Sequence, residues 1–469
     1  MQNSRLQSVF DSLNGDELRS LRKFLQSPFF NQRSDVLALF ELLIATRRPG
    51  KALPNKEEIV QALYPGEPFD DQRVRHTMSF LLKNIEQFLA HQVIFENGHF
   101  VQAKLAEAYR RRNLPDQFQR TLAALKKTHE GSPLRHADHY WAGYEIQLQD
   151  YLFTATTRRS TELNLQEIGD QLDLAFLALK LRQSCVALSH QAVFKTDYDF
   201  GLLKEVLDYI EKENLLELPA IGVYYHCYQA LTKATETVHF QSFKKMLYLH
   251  DGAFPLAESR DLYLLAINFC IRRYNEGSAG FLAEEFELYK TALEKNIMLV
   301  NGALSRFTYQ NVVTLGLVLG EYDWVEDFLE NYTQLLETRF RAANHSFNLA
   351  RLEYFRRRFD KALDLLQRSD YEDLLLNLSA KTLLLKIYFE TAEFNALNSL
   401  LDSMSNFVRR KKAIGYHRDN YLNLVRLMKK LLQTPIGDKA AREKLATEIA
   451  ETKSVAEREW LLEKLEKGI

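Results

Sequence analysis

The sequence predicts an all-α protein, and three observations lead to that prediction. Glycine and proline, which often interrupt helices, occur only 18 and 10 times in 469 residues, below their usual shares of about 7% and about 5%. Apolar residues recur three and four positions apart along most of the chain, which places them on one face of a helix. Residues 306–412 divide into three consecutive segments, each with two such faces separated by a short break.

An aromatic residue follows the break in each of the three segments. These residues are Tyr322, Phe359 and Phe394, which lie 37 and then 35 residues apart. A repeat of about 34 residues that contains two helices is typical of tetratricopeptide repeats. The sequence therefore predicts a tetratricopeptide-like α-solenoid, a right-handed superhelix of helix pairs, with a generic helical bundle as the alternative. Stacking is expected because one helix pair cannot bury its own apolar face.

Residues 1–96 are predicted to form an N-terminal helical domain. Its longest helix opens at Asp70 or Asp71, and either side chain can cap that helix. Turn dipeptides separate the helices at Asn14-Gly15, Ser27-Pro28, Pro49-Gly50 and Pro65-Gly66.

The residues that follow this domain leave two interpretations open. Asn97-Gly98 lies between apolar residues in the stretch 93–101 and is the strongest short signal for a β-hairpin. A hairpin there would be the wing of a winged-helix module. The alternative is that Asn97-Gly98 ends one helix and that the next helix begins the array. We favour the alternative, because the preceding helix carries fewer Arg, Lys, Asn and Gln side chains on one face than a DNA-reading helix usually shows.

Residues 97–433 are predicted to form the array of helix pairs. Small residues at Gly316, Ala350 and Ala362 are expected to let paired helices approach closely. Before the three segments, the predicted helices span 101–113, 115–130, 133–158, 165–195, 199–215, 219–234, 238–250, 259–275 and 279–296.

The three cysteines, Cys185, Cys227 and Cys270, lie 42 and 43 residues apart, each within a predicted first helix of a pair. A small apolar residue that recurs once per repeat favours close packing between helices. We expect the cysteines to lie one repeat apart, which is too far for a shared metal ion. Their sparse and odd number argues against a disulfide framework and for a reducing compartment.

Residues 434–469 are predicted to form C-terminal capping helices. Thr434-Pro435-Ile436-Gly437 marks the boundary, and the charged helices that follow keep apolar residues such as Leu445 and Trp460. A repeat array needs a terminal element with a polar outer face to cover its last apolar surface. This segment suits that role.

Charge and hydropathy point to a soluble chain. Lys and Arg number 61 against 62 Asp and Glu, so the net charge supplies no general attraction to nucleic acid or to an anionic membrane. The N-terminus shows no apolar run typical of a secretory signal. No uncharged apolar run approaches the roughly 18 residues that a membrane helix needs. We therefore expect a soluble cytoplasmic protein.

Sequence motifs for catalysis are absent. There is no phosphate-binding glycine loop, and no GxGxxG, HExxH, CxxC or GxSxG. The densest histidine group contains His129, His136 and His139 with Asp138, but it lacks a further ligand at a recognisable metal spacing. We therefore expect no enzyme activity, no cofactor and no metal.

Tetratricopeptide arrays commonly hold an extended peptide on the inner face of their first helices. Alignment of the three segments places Asn311 and Asn348 at one inner position, Arg351 and Lys386 at a second, and Tyr354 at a third. Asparagine amides can hold a peptide backbone, and cations can hold a carboxylate. These five residues are therefore the candidate partner-binding residues. The lysine-and-asparagine clamp of chaperone adaptors is not reproduced, which argues against a C-terminal carboxylate as the ligand.

Short basic runs recur near predicted helix ends, where the helix dipole favours cations. If the superhelix brings several runs to one surface, they would form an anion-binding stripe for nucleic acid or an acidic partner. The candidates for such a stripe are Arg356, Arg357, Arg358, Arg409 and Arg410.

Three passages resemble a tetratricopeptide-like family of all-helical repeat proteins that is common in Bacteroidetes genomes. They are LRKFLQSPFFN from Leu21, LLLKIYFETAEFNALNSLLDSMSNFVRRKK from Leu383 and EREWLLEKL from Glu457. The passages lie near both ends, so the resemblance is expected to cover the whole chain. It implies an all-helical fold in a cytoplasmic bacterial protein, and it carries no activity.

These features predict a non-catalytic scaffold or adaptor that binds a protein or peptide on the solenoid surface. The alternative is a transcription-type regulator with an N-terminal nucleic-acid-binding module and a repeat sensor domain. That alternative requires the hairpin at 93–101. We expect a protein or peptide partner and no membrane partner, with nucleic acid as the less favoured partner.

Overall fold

The computed structural model describes residues 4–47, 54–157, 162–194, 196–367, 373–410, 417–435 and 437–467. Over these residues the chain forms 23 α-helices, two short 3-10 helices and one antiparallel ribbon that pairs Leu299–Val300 with Ala303–Leu304. The protein is therefore all-α, as the sequence predicts, and neighbouring helices pack against each other. No helix in the described ranges is long and apolar enough to cross a membrane. The chain divides into two compact units, Met1–Leu179 and Lys180–Ile469.

Within the described residues, the first unit contains eight helices and the beginning of a ninth. Asparagine caps start two of them: the Asn14 and Asn55 side chains accept backbone N–H groups, while Glu17 and Glu58 reach back to the caps. The helices are α1 (Arg5–Ser12), α2 (Gly15–Gln26), α3 (Ser34–Thr46), α4 (Lys56–Leu63), α5 (Asp71–Glu96), α6 (Gly98–Arg111), α7 (Pro115–Gly131), α8 (Ala137–Thr157) and α9 (Leu165–Phe194), the last of which continues into the second unit.

Residues 93–101 are helical, so the hairpin that a winged-helix module requires is not formed. α5 ends at Glu96 and α6 begins at Gly98, with Asn97 between them. The Asn97 side chain accepts the backbone N–H of Phe100 at 3.0 Å and thereby caps α6. Asparagine and glycine here connect two helices instead of two strands, which is the interpretation we favoured from the sequence.

The second unit contains the rest of α9 and fourteen further helices in the described residues. They are α10 (Leu203–Lys212), α11 (Pro219–Thr232), α12 (Thr237–Leu249), α13 (Leu256–Asn275), α14 (Phe281–Glu294), α15 (Arg306–Leu319), α16 (Tyr322–Tyr332), α17 (Thr338–Phe355), α18 (Phe359–Gln367), α19 (Leu374–Glu390), α20 (Phe394–Arg410), α21 (His417–Gln433), α22 (Lys439–Glu451) and α23 (Arg458–Lys467).

The three segments that organise the sequence form three helix pairs with the same turn. Tyr322, Phe359 and Phe394 are the first residues of α16, α18 and α20, which are the second helices of the three pairs. Two positions before each aromatic lies a residue in the left-handed region, namely Gly320, Arg357 and Ala392, with φ angles of 81°, 60° and 57°. The regular spacing of the aromatics therefore reflects a repeated left-handed turn between the helices of each pair.

The small residues of these pairs lie where helices meet. A Cβ atom placed on Gly316 of α15 would come within 2.5 Å of the Val325 side chain of α16. Ala350 of α17 and Ala362 of α18 are both completely buried. Close approach of paired helices at small residues is therefore confirmed at these positions.

The cysteines are buried in α9, α11 and α13, but two of them lie closer together than the sequence predicts. The Cys185 thiol contacts the Cys227 thiol, and burial together with this neighbour raises the pKa of Cys185 well above its usual range. The Cys185 thiol also donates to the backbone oxygen of Tyr224 at 3.3 Å. The predicted separation by one repeat is wrong for this pair, because α9 and α11 bring their cysteine faces into direct contact. All three cysteines are free thiols.

The last two helices, α22 and α23, cover apolar surface of the helices before them. A single core cluster joins residues of α19, α20 and α21 to residues of α22 and α23. Its completely buried members include Leu401, Leu424, Met428, Ile449 and Leu461. The segment between α22 and α23, residues 452–457, is thereby held close to α21.

Candidate partner-binding site

The first helices of the three segments border one open cavity of about 400 Å³. α17 lies between α15 and α19 and contacts both. Four of the five candidate partner-binding residues line the cavity, namely Asn311, Arg351, Tyr354 and Lys386. Glu457, which precedes α23, lines it as well. We call this cavity the Arg351 groove.

Arg351 supplies a cation that has no carboxylate ion-pair partner among the residues the structure describes. Its guanidinium donates to the Asn348 side-chain oxygen at 3.1 Å and to the Thr314 hydroxyl at 2.9 Å. Burial lowers the pKa of Arg351 to about 10, against the opposing attraction of Glu457. The side chain therefore stays positively charged at neutral pH. Of the five N–H donors of a guanidinium, those not used here can take an anionic acceptor.

Asn348 reaches the groove only through Arg351. It is completely buried, on the same face of α17 as Asn344 and Leu352. Its side-chain nitrogen donates to the backbone oxygen of Asn344 at 2.9 Å, while its side-chain oxygen accepts from Arg351. Asn311 is exposed at the groove instead. The two asparagines that the alignment places together thus differ: one faces the groove, and the other orients the cation.

Lys386 is paired with the carboxylate of Glu457. The ammonium nitrogen lies 2.9 Å from the Glu457 oxygen, and the two side chains are 13% and 36% exposed. The same nitrogen lies 5.3 Å from the centre of the Tyr354 ring and 5.6 Å from the centre of the Trp460 ring. A cation between two aromatic faces is held by the ring quadrupoles, so Lys386 is fixed in place and Glu457 is its more accessible partner.

A second cavity, of about 750 Å³, continues the groove towards α23. Several of its charges are paired within the chain: Glu390 forms an ion pair with Lys464 at 2.5 Å and another with Arg357 at 3.1 Å. The lining residues that it shares with the Arg351 groove are Val318, Tyr354, Phe355, Lys386 and Glu457. Within the first cavity, Arg351 is therefore the cation that the described residues leave without an ion pair.

The five arginines predicted as an anion-binding stripe do not share one environment. Arg409 and Arg410 are exposed in the last turn of α20, where the helix dipole favours cations. The other three have carboxylate partners within 4 Å: Arg356 pairs with Asp323 and Glu326, Arg357 with Glu390, and Arg358 with Glu353. These ion pairs neutralise the central basic run.

Glu457 is a charged groove residue that sequence reasoning missed. It lies 71 residues after Lys386, so no local spacing links the two. The one signal near it is the passage EREWLLEKL, in which Glu457 stands directly before the apolar face of α23. Its backbone is left-handed, with φ of 56°. A glutamate in the sequence gives no sign of that conformation.

The histidine group of the first unit is a stack of rings. The His129 and His139 rings lie 4.0 Å apart at an interplanar angle of 13°, and the His99 ring lies 6.0 Å from His129. Parallel rings do not direct their nitrogens at a common point. Within the described parts of the chain, no three or more His, Cys, Asp or Glu side chains are grouped so that they could hold a metal ion.

Comparison of the chain with protein-family models, with curated proteins and with solved structures finds no match. No relative therefore assigns a ligand or an activity to any residue of the groove.

Proposed function

We propose that this protein is a non-catalytic scaffold, built as a tetratricopeptide-like solenoid, whose Arg351 groove binds an extended segment of a partner protein. One observation carries the proposal. Candidate residues from three successive helix pairs, on α15, α17 and α19, line a single open groove. An extended peptide presents backbone groups and side chains at regular intervals, and successive repeats can contact several of them at once.

The chemistry of the groove suits such a ligand. Asn311 offers an exposed amide that can donate to and accept from a peptide backbone. Arg351 offers unused guanidinium donors, while Tyr354 and Phe355 supply apolar wall. Further polar side chains line the groove, among them Gln310 and Ser379, and such groups can orient a bound peptide by hydrogen bonds.

The regulator alternative is the less favoured proposal. It requires a hairpin at 93–101, and those residues are helical. The central arginine run, Arg356 to Arg358, is neutralised by carboxylates. A protein or peptide partner therefore remains the preferred ligand class.

A bulky substitution at the groove tests the proposal. Val318 of α15 is 54% exposed and borders both cavities, so Val318→Trp is expected to fill the groove without unfolding the chain. Decapeptides selected from a displayed random library on the full-length protein should lose at least about tenfold in affinity for this variant.

Val238→Trp is the matched control. Val238 lies on α12 of the same unit and is 62% exposed, and it borders neither cavity. Selected peptides should bind this variant as they bind the unaltered protein. Equal binding to Val318→Trp, or the failure of the library to yield any binder, would reject the groove as the partner site.

A further inference from the structure

The Arg351 groove already contains a carboxylate from its own chain. One oxygen of Glu457 lies 2.9 Å from the Lys386 ammonium. The charge of Glu457 also acts on Arg351 and on the hydroxyl of the half-buried Tyr421, both of which line the groove. Glu457 therefore occupies the position that an acidic side chain of a bound peptide would take.

The backbone before Glu457 is anchored to α21 and not to the groove. The Asn423 side chain donates to the backbone oxygen of Ser454 at 2.8 Å, and the backbone N–H of Ala456 donates to the oxygen of Asn420 at 3.2 Å. Glu457 itself has a left-handed φ of 56°, which costs a residue with a side chain about 1 kcal/mol or more. The carboxylate can therefore leave the groove by side-chain rotation while the segment stays attached.

The charges of the groove leave room for another anion. Two cations, Arg351 and Lys386, face one carboxylate, Glu457, and the carboxylate forms its ion pair with Lys386 alone. Arg351 uses neutral acceptors, the Asn348 amide and the Thr314 hydroxyl. A guanidinium matches the two oxygens of a carboxylate more closely than an ammonium does.

We propose that the partner segment is acidic, and that one of its Asp or Glu side chains binds between Arg351 and Lys386 by displacing Glu457. This inference rests on the proposed function, because it names the chemistry of the ligand that the groove takes. Glu457 is then an internal competitor that sets a threshold for binding. Segments without an acidic side chain do not replace it, since they leave Lys386 without a counter-charge in a largely desolvated position.

Peptides of defined charge test the displacement. The probes are acetylated and amidated decapeptides, (Ala-Glu)5 and its uncharged counterpart (Ala-Gln)5, titrated against the full-length chain. We expect (Ala-Glu)5 to bind more tightly than (Ala-Gln)5, and Glu457→Gln to strengthen the binding of (Ala-Glu)5 by about three- to tenfold. Glu457→Gly should do the same, and it should fold readily because glycine adopts the left-handed backbone without strain.

Glu466→Gln is the control, because Glu466 is exposed on α23, the helix that directly follows Glu457, and it borders neither cavity. It should leave the affinity unchanged. Hydrogen exchange provides a second readout: because the segment stays attached to α21, the amides of residues 452–457 should keep their exchange rates when (Ala-Glu)5 is bound.

The outcomes separate this inference from the function on which it rests. If library-selected peptides bind the groove but neither Glu457 variant changes the affinity for (Ala-Glu)5, the scaffold function stands and displacement is rejected. If both Glu457 variants bind (Ala-Glu)5 more weakly, Glu457 supports the structure of the groove, and displacement is again rejected. If no peptide of any charge binds, the scaffold function itself is rejected.

Discussion

Gly316 shows how a single residue sets the distance between two helices of a pair. An added Cβ would lie 2.5 Å from the Val325 side chain and 3.4 Å from the Phe286 ring. Gly316→Ala should therefore lower the free energy of unfolding by about 1–3 kcal/mol, the usual cost of overpacking a core. Urea unfolding followed by circular dichroism measures the loss.

Gly280→Ala is the matched control for that substitution. Gly280 has right-handed helical dihedrals, and a Cβ there meets nothing within 4 Å. Its substitution should change the unfolding free energy by less than about 0.5 kcal/mol. If Gly316→Ala proves as mild as the control, α15 and α16 are not in closest contact at this residue.

Among single residues, the sequence predicts exposure and close packing better than it predicts burial of polar groups. Gly316 and Ala350 follow from the periodic pattern, because small residues recur where helices meet. Asn348 does not follow, since its alignment with Asn311 gives no sign that one asparagine is buried beneath Arg351 and the other is exposed. That difference depends on how α17 is rotated between its neighbours, and the rotation is a property of the packed helices.

At the scale of helices, the starts of α16, α18 and α20 were predictable because each depends on a few neighbouring residues. Each pair reverses through a left-handed residue two positions before an aromatic, and the aromatic spacing records that turn. The nature of the Asn97-Gly98 break is also local. The dipeptide is compatible with a hairpin and with a helix junction, and the structure forms the junction.

The stacked histidines of α7 and α8 give the first unit a dependence on pH. Burial lowers the pKa of His139 to about 3, with neighbouring His129 and Arg135 acting in the same direction, and burial also lowers the pKa of His129. The unfolded chain binds protons near pH 6.5, whereas the folded unit does not. The free energy of unfolding is therefore undiminished above about pH 7. It falls as the pH drops through 6.5 towards the histidine pKa of the folded state.

Hydrogen exchange across residues 115–157 measures this effect at pH 7.5 and at pH 5.5, after correction for the intrinsic exchange rate. We expect protection to fall at the lower pH by the equivalent of about 1 kcal/mol per histidine at most, because solvent screens a half-buried group. His139→Gln should reduce the dependence, while His76→Gln, at an exposed histidine of α5, should not. A pH dependence unchanged by His139→Gln would assign it to other groups.

At the scale of the whole chain, the binding groove could be predicted only in part. The alignment of the three segments identifies Asn311, Arg351, Tyr354 and Lys386, because α15, α17 and α19 each contribute some of these side chains to one cavity. It does not identify Glu457, which reaches Lys386 across 71 residues of sequence. The path of the C-terminal segment depends on how α22 and α23 pack against α19, α20 and α21, and the pattern of a single segment does not carry that information.

The overall charge distribution leads to the last prediction, which concerns nucleic acid. Lys and Arg nearly balance Asp and Glu, at 61 against 62, and Arg356, Arg357 and Arg358 are engaged by carboxylates. A surface that neutralises no phosphates releases no counterions, so neither duplex DNA nor RNA of mixed sequence should bind, even at low salt.

Titration of the purified full-length chain with labelled duplexes at two salt concentrations checks this expectation. Binding that weakens steeply with salt would contradict it and would direct attention to Arg409 and Arg410, which are exposed at the end of α20. In that case Arg409→Glu together with Arg410→Glu should abolish the binding, whereas Arg351→Gln should leave it unchanged. A loss with Arg351→Gln instead would mean that the groove accepts phosphate, and the preference for an acidic peptide would no longer hold.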